Sequence, residues 1–214
     1  MTDIHVLAAS AQAELVEKKS HFVAHLIPVT STEGADQAIR SLRAEHPDAR
    51  HHCTAMIIGE DPPVHRSNDD GEPSGTAGMP MLLALQRAEL TDVLAVVIRW
   101  FGGIKLGTGG LSRAYAAVVE NAIGDARLLR RTTLHEVEIE IPHAEAGGAE
   151  NAVRTWATAH GALMEDTVYS PTAATLRVLI PPAQVENFSA DVSTWSSGTR
   201  APRVVGERRA DLSF

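Results

Sequence analysis

Two stretches of the chain gather the residue types that handle charge. "SNDDGEPSGTAG", residues 67–78, sets Asp69, Asp70 and Glu72 ahead of Ser74, Gly75, Thr76 and Gly78. "WFGGIKLGTGG", residues 100–110, places Lys105 among Gly102, Gly103, Gly107, Gly109 and Gly110, with Arg99 just before and Arg113 just after. The second stretch runs from an apolar segment into a helical one. The first unpaired N–H groups of a helix, together with the positive end of its dipole, attract anions. Glycine lets a backbone approach a phosphate closely. These residues support anion binding, phosphate foremost. The competing reading is that the glycines only turn a tight strand-to-helix corner. Known phosphate fingerprints do not match: Gly102 to Gly107 has Walker spacing, but Thr108 stands where the lysine belongs, and G-x-G-x-x-G is absent.

The carboxylates of the first stretch have two readings as well. Asp69, Asp70 and Glu72 suit a hard cation such as Mg²⁺, which prefers carboxylate oxygens. They suit equally a capped turn and the helix beyond it. Without EF-hand spacing the cap is favoured, and no metal or cofactor is assigned. Ser74 and Thr76 are phosphate-facing hydroxyls or simple caps. If the two stretches fold together, carboxylates face Arg99, Lys105 and Arg113 across a cleft of mixed charge. Asp69, Asp70, Glu72, Ser74, Gly75, Thr76, Gly78, Arg99, Gly103, Lys105, Gly107, Gly109, Gly110 and Arg113 form the candidate ligand set. No catalytic residue is assigned. Cys53 lies in an apolar run, where thiols are usually packing. His51 and His52 are neighbours, so on a strand they face opposite ways and cannot share a metal. Neither H-E-x-x-H nor G-x-S-x-G occurs.

The elements that must carry these loops are readable by period. "SHFVAHLIPV" (20–29) alternates as a strand, and Thr30 with Glu33 fits a capping box ahead of a helix ending before Pro47. "HHCTAMIIG" (51–59) is a strand and residues 60–78 a polar loop. Pro80 suits the first turn of the helix containing "MLLALQRAEL". "DVLAVVIRW" (92–100) is apolar throughout, the mark of a strand covered on both faces. Leu111, Ala114, Tyr115, Val118 and Ala122 line one face of a helix closing near Gly124. Beyond residue 130 come strand 133–142, helix 144–161, strands 162–170 and 172–181, helix 182–198 and strand 199–207. That order is β-α-β-β-α-β, the ferredoxin-like pattern. The expectation is an α+β protein of two domains, 1–128 and 129–214.

With 214 residues, 44% of them hydrophobic and 21% charged, the chain has the composition of a globular protein. A net charge of −8 argues against a general polyanion binder while leaving room for a local basic face. A single cysteine excludes an intrachain disulfide and a cysteine zinc cage. The start "MTDIHVLAAS" lacks a signal peptide's basic and apolar regions, and no run is long enough to span a bilayer, so a cytoplasmic, soluble protein is expected.

Four segments carry a resemblance. "KKSHFVAHLIPV", "HPDARHHCTA", "DDGEPSGTAGMPML" and "VVIRWFGGIKLGTGGLSRAY" together resemble the bacterial YigZ-type members of the IMPACT family, in order, across about the first 125 residues. The remainder resembles that family's smaller C-terminal domain. Asn68 stands where the family usually has Ser, and Trp100 where it has Tyr or Phe. The resemblance implies an N-terminal domain similar to domain 2 of ribosomal protein S5 and a ferredoxin-like C-terminal domain similar to the last domain of elongation factor G. Eukaryotic members are linked to translation control under amino-acid starvation. The reading that follows is a non-catalytic regulator of translation or stress response, binding RNA, the ribosome or a protein partner, with no membrane role. Arg200, Arg203, Arg208 and Arg209 in the last segment add basic character, or are a solvated edge. The alternative is an enzyme or sensor for a small phosphorylated ligand, with phosphate on the glycine loop and Mg²⁺ on a carboxylate.

Overall fold

The computed structural model describes residues 4–213. It contains two compact units: one extends to Arg131 and takes in the chain again from Asp211, and the other is Thr132–Ala210.

In the first unit the strands are β1 (Ile4–Leu7), β2 (Ala11–Glu17), β3 (Ser20–Pro28), β4 (His51–Ile58), β5 (Val64–Asn68) and β6 (Val93–Trp100). Its helices are α1 (Thr32–Glu45), α2 (Gly78–Arg87) and α3 (Thr108–Asp125). Five strands form one sheet in the order β2-β3-β6-β4-β5, with every neighbouring pair antiparallel. β6 is central, and seven of its eight residues are buried in the pattern BBBBBBBi. Its unbroken apolar run follows from that position: α2 and α3 cover one face through Val93, Ala95 and Val97, and α1 covers the other through Leu94, Val96 and Ile98.

Two local expectations are corrected. The cap of α1 is Ser31, whose hydroxyl accepts from the Gly34 N–H at 3.1 Å, one residue later than Thr30. Residues 60–78 are not loop throughout, because β5 runs through them as an edge strand paired to β4. All five of its residues are exposed, so it carries no apolar alternation to betray it.

The second unit contains most of β7 (Leu128–Ile141), α4 (Ala146–His160), β8 (Leu163–Met164), β9 (Val168–Tyr169), β10 (Ala174–Ile180), α5 (Val185–Trp195) and β11 (Arg203–Leu212). β7 pairs with β10 and with β11, and both β8 and β9 pair with β10. The expected strand 162–170 is thus two short pieces, broken at residues 165–167. Counting β8 and β9 as one strand, the order across the sheet is fourth-first-third-second of a β-α-β-β-α-β chain. Alternate residues Val137, Ile139 and Ile141 of β7 meet Val153 of α4 and Phe188 and Val192 of α5 in one core. The fold is mixed α+β in two units, as the periodicity implies.

Candidate functional site

The site begins with a row across three strands. His51 of β4 stands opposite Arg99 of β6, and Phe22 of β3 stands opposite Arg99 on its other side. Directly paired residues share a face of the sheet. That face lies under α3, so Tyr115 of α3 meets Phe22 edge-on, with ring centroids 5.2 Å apart. Glu72, from the first glycine stretch, reaches into this row. Its Oε1 accepts from Arg99 Nη1 at 2.5 Å and from the Tyr115 hydroxyl at 2.8 Å. Both members of the ion pair are buried, Arg99 at 6% side-chain exposure and Glu72 at 4%. Arg99 also donates from Nη2 to Ser20 Oγ at 3.1 Å, while its guanidinium lies 5.2 Å from the Phe22 ring centroid and 5.6 Å from that of Phe101.

His51 is oriented by the same stretch. Its Nδ1 lies 2.8 Å from the Asp70 carbonyl oxygen. A carbonyl only accepts, so Nδ1 carries the proton and donates. Nε2 then points away, 3.9 Å from Glu72 Oε1.

Above this buried base opens a cleft of about 390 Å³. Arg50, Lys105 and Thr108 line it with Phe101, Pro73, Leu106 and Leu111, and His51, Glu72 and Arg99 contribute to it as well. The α3 N-terminus also borders it at Gly107, whose φ of 75° suits glycine and which offers no capping side chain. The cleft therefore combines apolar walls, two exposed cations, an uncapped helix start and a buried ion pair.

The sequence-predicted residues divide between this cleft and its support. Glu72, Arg99, Lys105 and Gly107 line it. Asp69 does not: its Oδ1 accepts from the N–H groups of Ala77 and Gly78, and its Oδ2 from that of Gly75. Burial works against its charge, but these three hydrogen bonds outweigh it and hold the carboxyl below its ordinary value. Asp69 is the cap of α2. Asp70, on the other side of β4, accepts from the His52 N–H at 2.7 Å and pairs with Arg43 at 2.9 Å. Its carboxyl is also held low, with burial opposing and Arg43 and His52 prevailing. Both carboxylates are committed to protein donors. Among the described residues no group of three or more His, Cys, Asp or Glu is placed to hold a metal ion.

Thr76 is buried, and its hydroxyl donates to the Pro73 carbonyl at 2.6 Å. Ser74 and Gly75 are exposed on the turn, and Gly78 packs so closely that a Cβ there would sit 2.7 Å from the Asn68 nitrogen. Gly103, Gly109, Gly110 and Arg113 lie in or beside the second stretch but do not line the cleft. Gly102 packs against the chain at Lys19, where an added Cβ would come within 1.9 Å. Cys53 is buried and within reach of the Asp69 carbonyl at 3.1 Å and the Tyr115 hydroxyl at 3.3 Å. Burial pushes its thiol up to about 12. In the second unit Arg200, Arg203 and Arg208 pair with Glu145, Glu138 and Glu165, so these three are not a free basic face.

Sequence reasoning did not nominate Arg50, His51, Phe101, Thr108 or Leu111 as cleft residues. His51 carried a usable signal, since the opposite facing of His51 and His52 holds: His51 enters the cleft while His52 lines a groove with Asp36, Arg43 and Arg66.

Residues 18–123 match the Impact N-terminal domain, and residues 139–199 match a domain of unknown function, DUF1949. The chain is 38% identical over 197 residues to the IMPACT family member YigZ of Escherichia coli, covering 90% of this chain and 94% of that one. It belongs to the IMPACT family. The IMPACT family member YvyE of Bacillus subtilis is 40% identical over 145 residues, covering 68% of this chain and 67% of that one. A crystal structure described as that of a hypothetical protein matches with a TM-score of 0.59 at 35% identity, covering 96% of this chain and 98% of that one. The segment matched to the Impact N-terminal domain holds both glycine stretches and every residue lining the cleft. Asn68 and Trp100 have structural uses. Asn68 Oδ1 closes a turn by accepting from the Asp70 N–H at 2.7 Å, a role open to serine too. Trp100 donates from its indole to Asp48 at 2.7 Å. No helix among the described residues is long and apolar enough to cross a membrane.

Proposed function

We propose that the protein is a non-catalytic regulator of translation that engages RNA through the cleft of its first unit. The observation that carries this reading is the uncapped α3 N-terminus, which opens beside Lys105 and Arg50 into a cavity of about 390 Å³. N–H groups at a helix start, next to exposed cations, form an anion site without further adjustment. A phosphate of the RNA backbone occupies that position, with the ligand body against Phe101 and Leu106. Membership of the IMPACT family supports a role in translation. The net charge of −8 leaves room for this, because Arg50 and Lys105 give the cleft two exposed cations while Arg99 is offset by Glu72.

Fluorescence anisotropy with a short single-stranded RNA tests the reading. Affinity should fall steeply as salt rises, with a log–log slope of about −0.7 per phosphate neutralised. Lys105→Ala should weaken binding about tenfold and reduce the slope by roughly one such step. Affinity indifferent to salt, or to Lys105→Ala and Arg50→Ala together, would overturn it.

The mostly hydrophobic walls favour a second reading, a free phosphorylated small molecule bound in the same place. It requires no Mg²⁺ at Asp69 or Asp70, whose carboxylates already serve protein donors. A thermal-shift screen in which a phosphorylated metabolite stabilises the protein and competes with RNA separates the two.

A further inference from the structure

Lysine is rare in this chain. Beside sixteen arginines there are three lysines, Lys18, Lys19 and Lys105, and the fold gathers all three about one loop. β2 and β3 are joined by Lys18 and Lys19 alone, since Glu17 stands opposite Ser20. That hairpin tip rests on the second glycine stretch. Gly102 lies so close that an added Cβ would come within 1.9 Å of the Lys19 carbonyl group, and its N–H donates to Ser20 Oγ at 3.3 Å. Lys105 follows Gly102 by three residues, ~11 Å of chain at full stretch, and lines the cleft. All three lysines are exposed. None is in an ion pair among the described residues, whereas Arg43, Arg87, Arg99 and Arg131 each hold a carboxylate.

The hairpin tip is built against local preference. Lys18 and Lys19 both have positive φ, 47° and 64°, the pattern of a two-residue turn that Asn-Gly adopts most readily. A residue with a Cβ meets a steric cost there, and neighbouring ammonium groups repel. Neither charge serves the turn. What the pair adds is positive potential beside the cleft. Arginine makes planar, two-pronged pairs with carboxylates, whereas lysine is a compact charge on a flexible stem, suited to phosphates of varying position. Resting on the RNA reading above, we infer that the ligand is a single strand of RNA that continues from the cleft over the β2–β3 hairpin. Lys18 and Lys19 meet the phosphates beyond the one near Lys105. A free phosphorylated small molecule needs the cleft alone; a strand uses both. Phosphate contacts position a strand without reading its sequence. Between the two places Phe101, 46% exposed and next to Gly102, offers a ring on which a base stacks.

Fluorescence anisotropy on the full chain tests this with oligouridylates of two and eight nucleotides. The octamer should bind about fiftyfold more tightly than the dimer, more than its extra registers alone provide. Lys18→Asn combined with Lys19→Gly should weaken the octamer about tenfold, lower the log–log salt slope by about 1.4, and leave the dimer unchanged. Because Asn-Gly suits the turn, the same variant should melt at a higher temperature, an outcome that separates lost contact from lost structure. Lys18→Gln with Lys19→Gln serves if the first variant misfolds. Arg40→Gln with Arg66→Gln removes equal charge from α1 and β5 and should leave octamer binding nearly unchanged. Octamer affinity untouched by the hairpin variants, or reduced as much by the Arg40 and Arg66 pair, would overturn the inference. If Lys105→Ala still weakens both RNAs in that case, the cleft reading stands. Octamer affinity lost with the hairpin lysines and untouched by Lys105→Ala would keep the hairpin contact and overturn the cleft. No binding by either RNA would overturn both.

Discussion

The starts of α2 and α3 are built from the same residue types and are finished in opposite ways. Before α2, Asp69 reaches forward and takes the N–H groups of Gly75, Ala77 and Gly78, while Thr76 closes onto Pro73. Before α3, Gly107 supplies the turn and no side chain caps the helix. One helix start is neutralised from within, and the other is left facing a cleft with Lys105 and Arg50 near it. A cap contributes stability and an open start offers a binding place, and one set of N–H groups cannot do both. The first stretch is therefore mainly support, and the second borders the cleft through Phe101, Lys105, Leu106 and Gly107. Glu72 and Pro73 are the exceptions, since they belong to the first stretch and line the second's cleft, Glu72 at its floor.

The sharpest challenge to this division is Gly102, a structural residue inside the contact stretch. A Cβ there would lie 1.9 Å from the backbone of Lys19, with no flexible side chain to yield. Gly102→Ala should cost upward of about 3 kcal/mol, read as a lower urea midpoint, by the mechanism of an overpacked core. Next in size is Asp69→Ala, which strands three N–H groups at α2. Its expected cost is about 2–3 kcal/mol, with a melting temperature roughly 5–10 °C lower and unchanged RNA affinity in the folded fraction. An Asp69→Ala protein that is fully stable yet fails to bind would reverse the assignment of the two stretches.

The smallest effect is in acid. Asp69 and Asp70 are held below the ordinary carboxyl value of 3.8 in the folded chain, so the unfolded chain takes up protons first. Their stabilisation is complete above that value and drains away as pH falls through the lowered folded values. Asp69→Asn should accordingly differ most from the unaltered protein near neutral pH, and the gap should close below about pH 4 in a series of urea titrations. A gap that widens in acid would mean that the carboxylate is not the capping species.

Strong periods made much of this architecture legible in the sequence. The apolar run of β6 announces cover on both faces, and α1 and α3 supply it. The β-α-β-β-α-β order after residue 130 reads directly from alternation and helical spacing. β5 escaped because an edge strand with five exposed residues has neither period. The cleft was half legible. Glycine and cation content marked Lys105, Gly107 and Arg99, but Arg50 and Phe101 join them only through strand register and the turn of the chain, which no local pattern encodes. Burial of Glu72 was equally hidden: a glutamate in a polar turn looks exposed until the tertiary fold brings Arg99 and Tyr115 to it.

Cys53 turns this arrangement into a reporter. Its sulfur, enclosed between the Asp69 carbonyl and the Tyr115 hydroxyl and reluctant to ionise, offers electrophiles almost nothing while the sheet and α3 stay together. Because it is the sole thiol of the chain, any alkylating dye that does attach dates an opening of the first unit and of nothing else. The protein thus carries an intrinsic clock for the breathing of the layer on which its cleft is built.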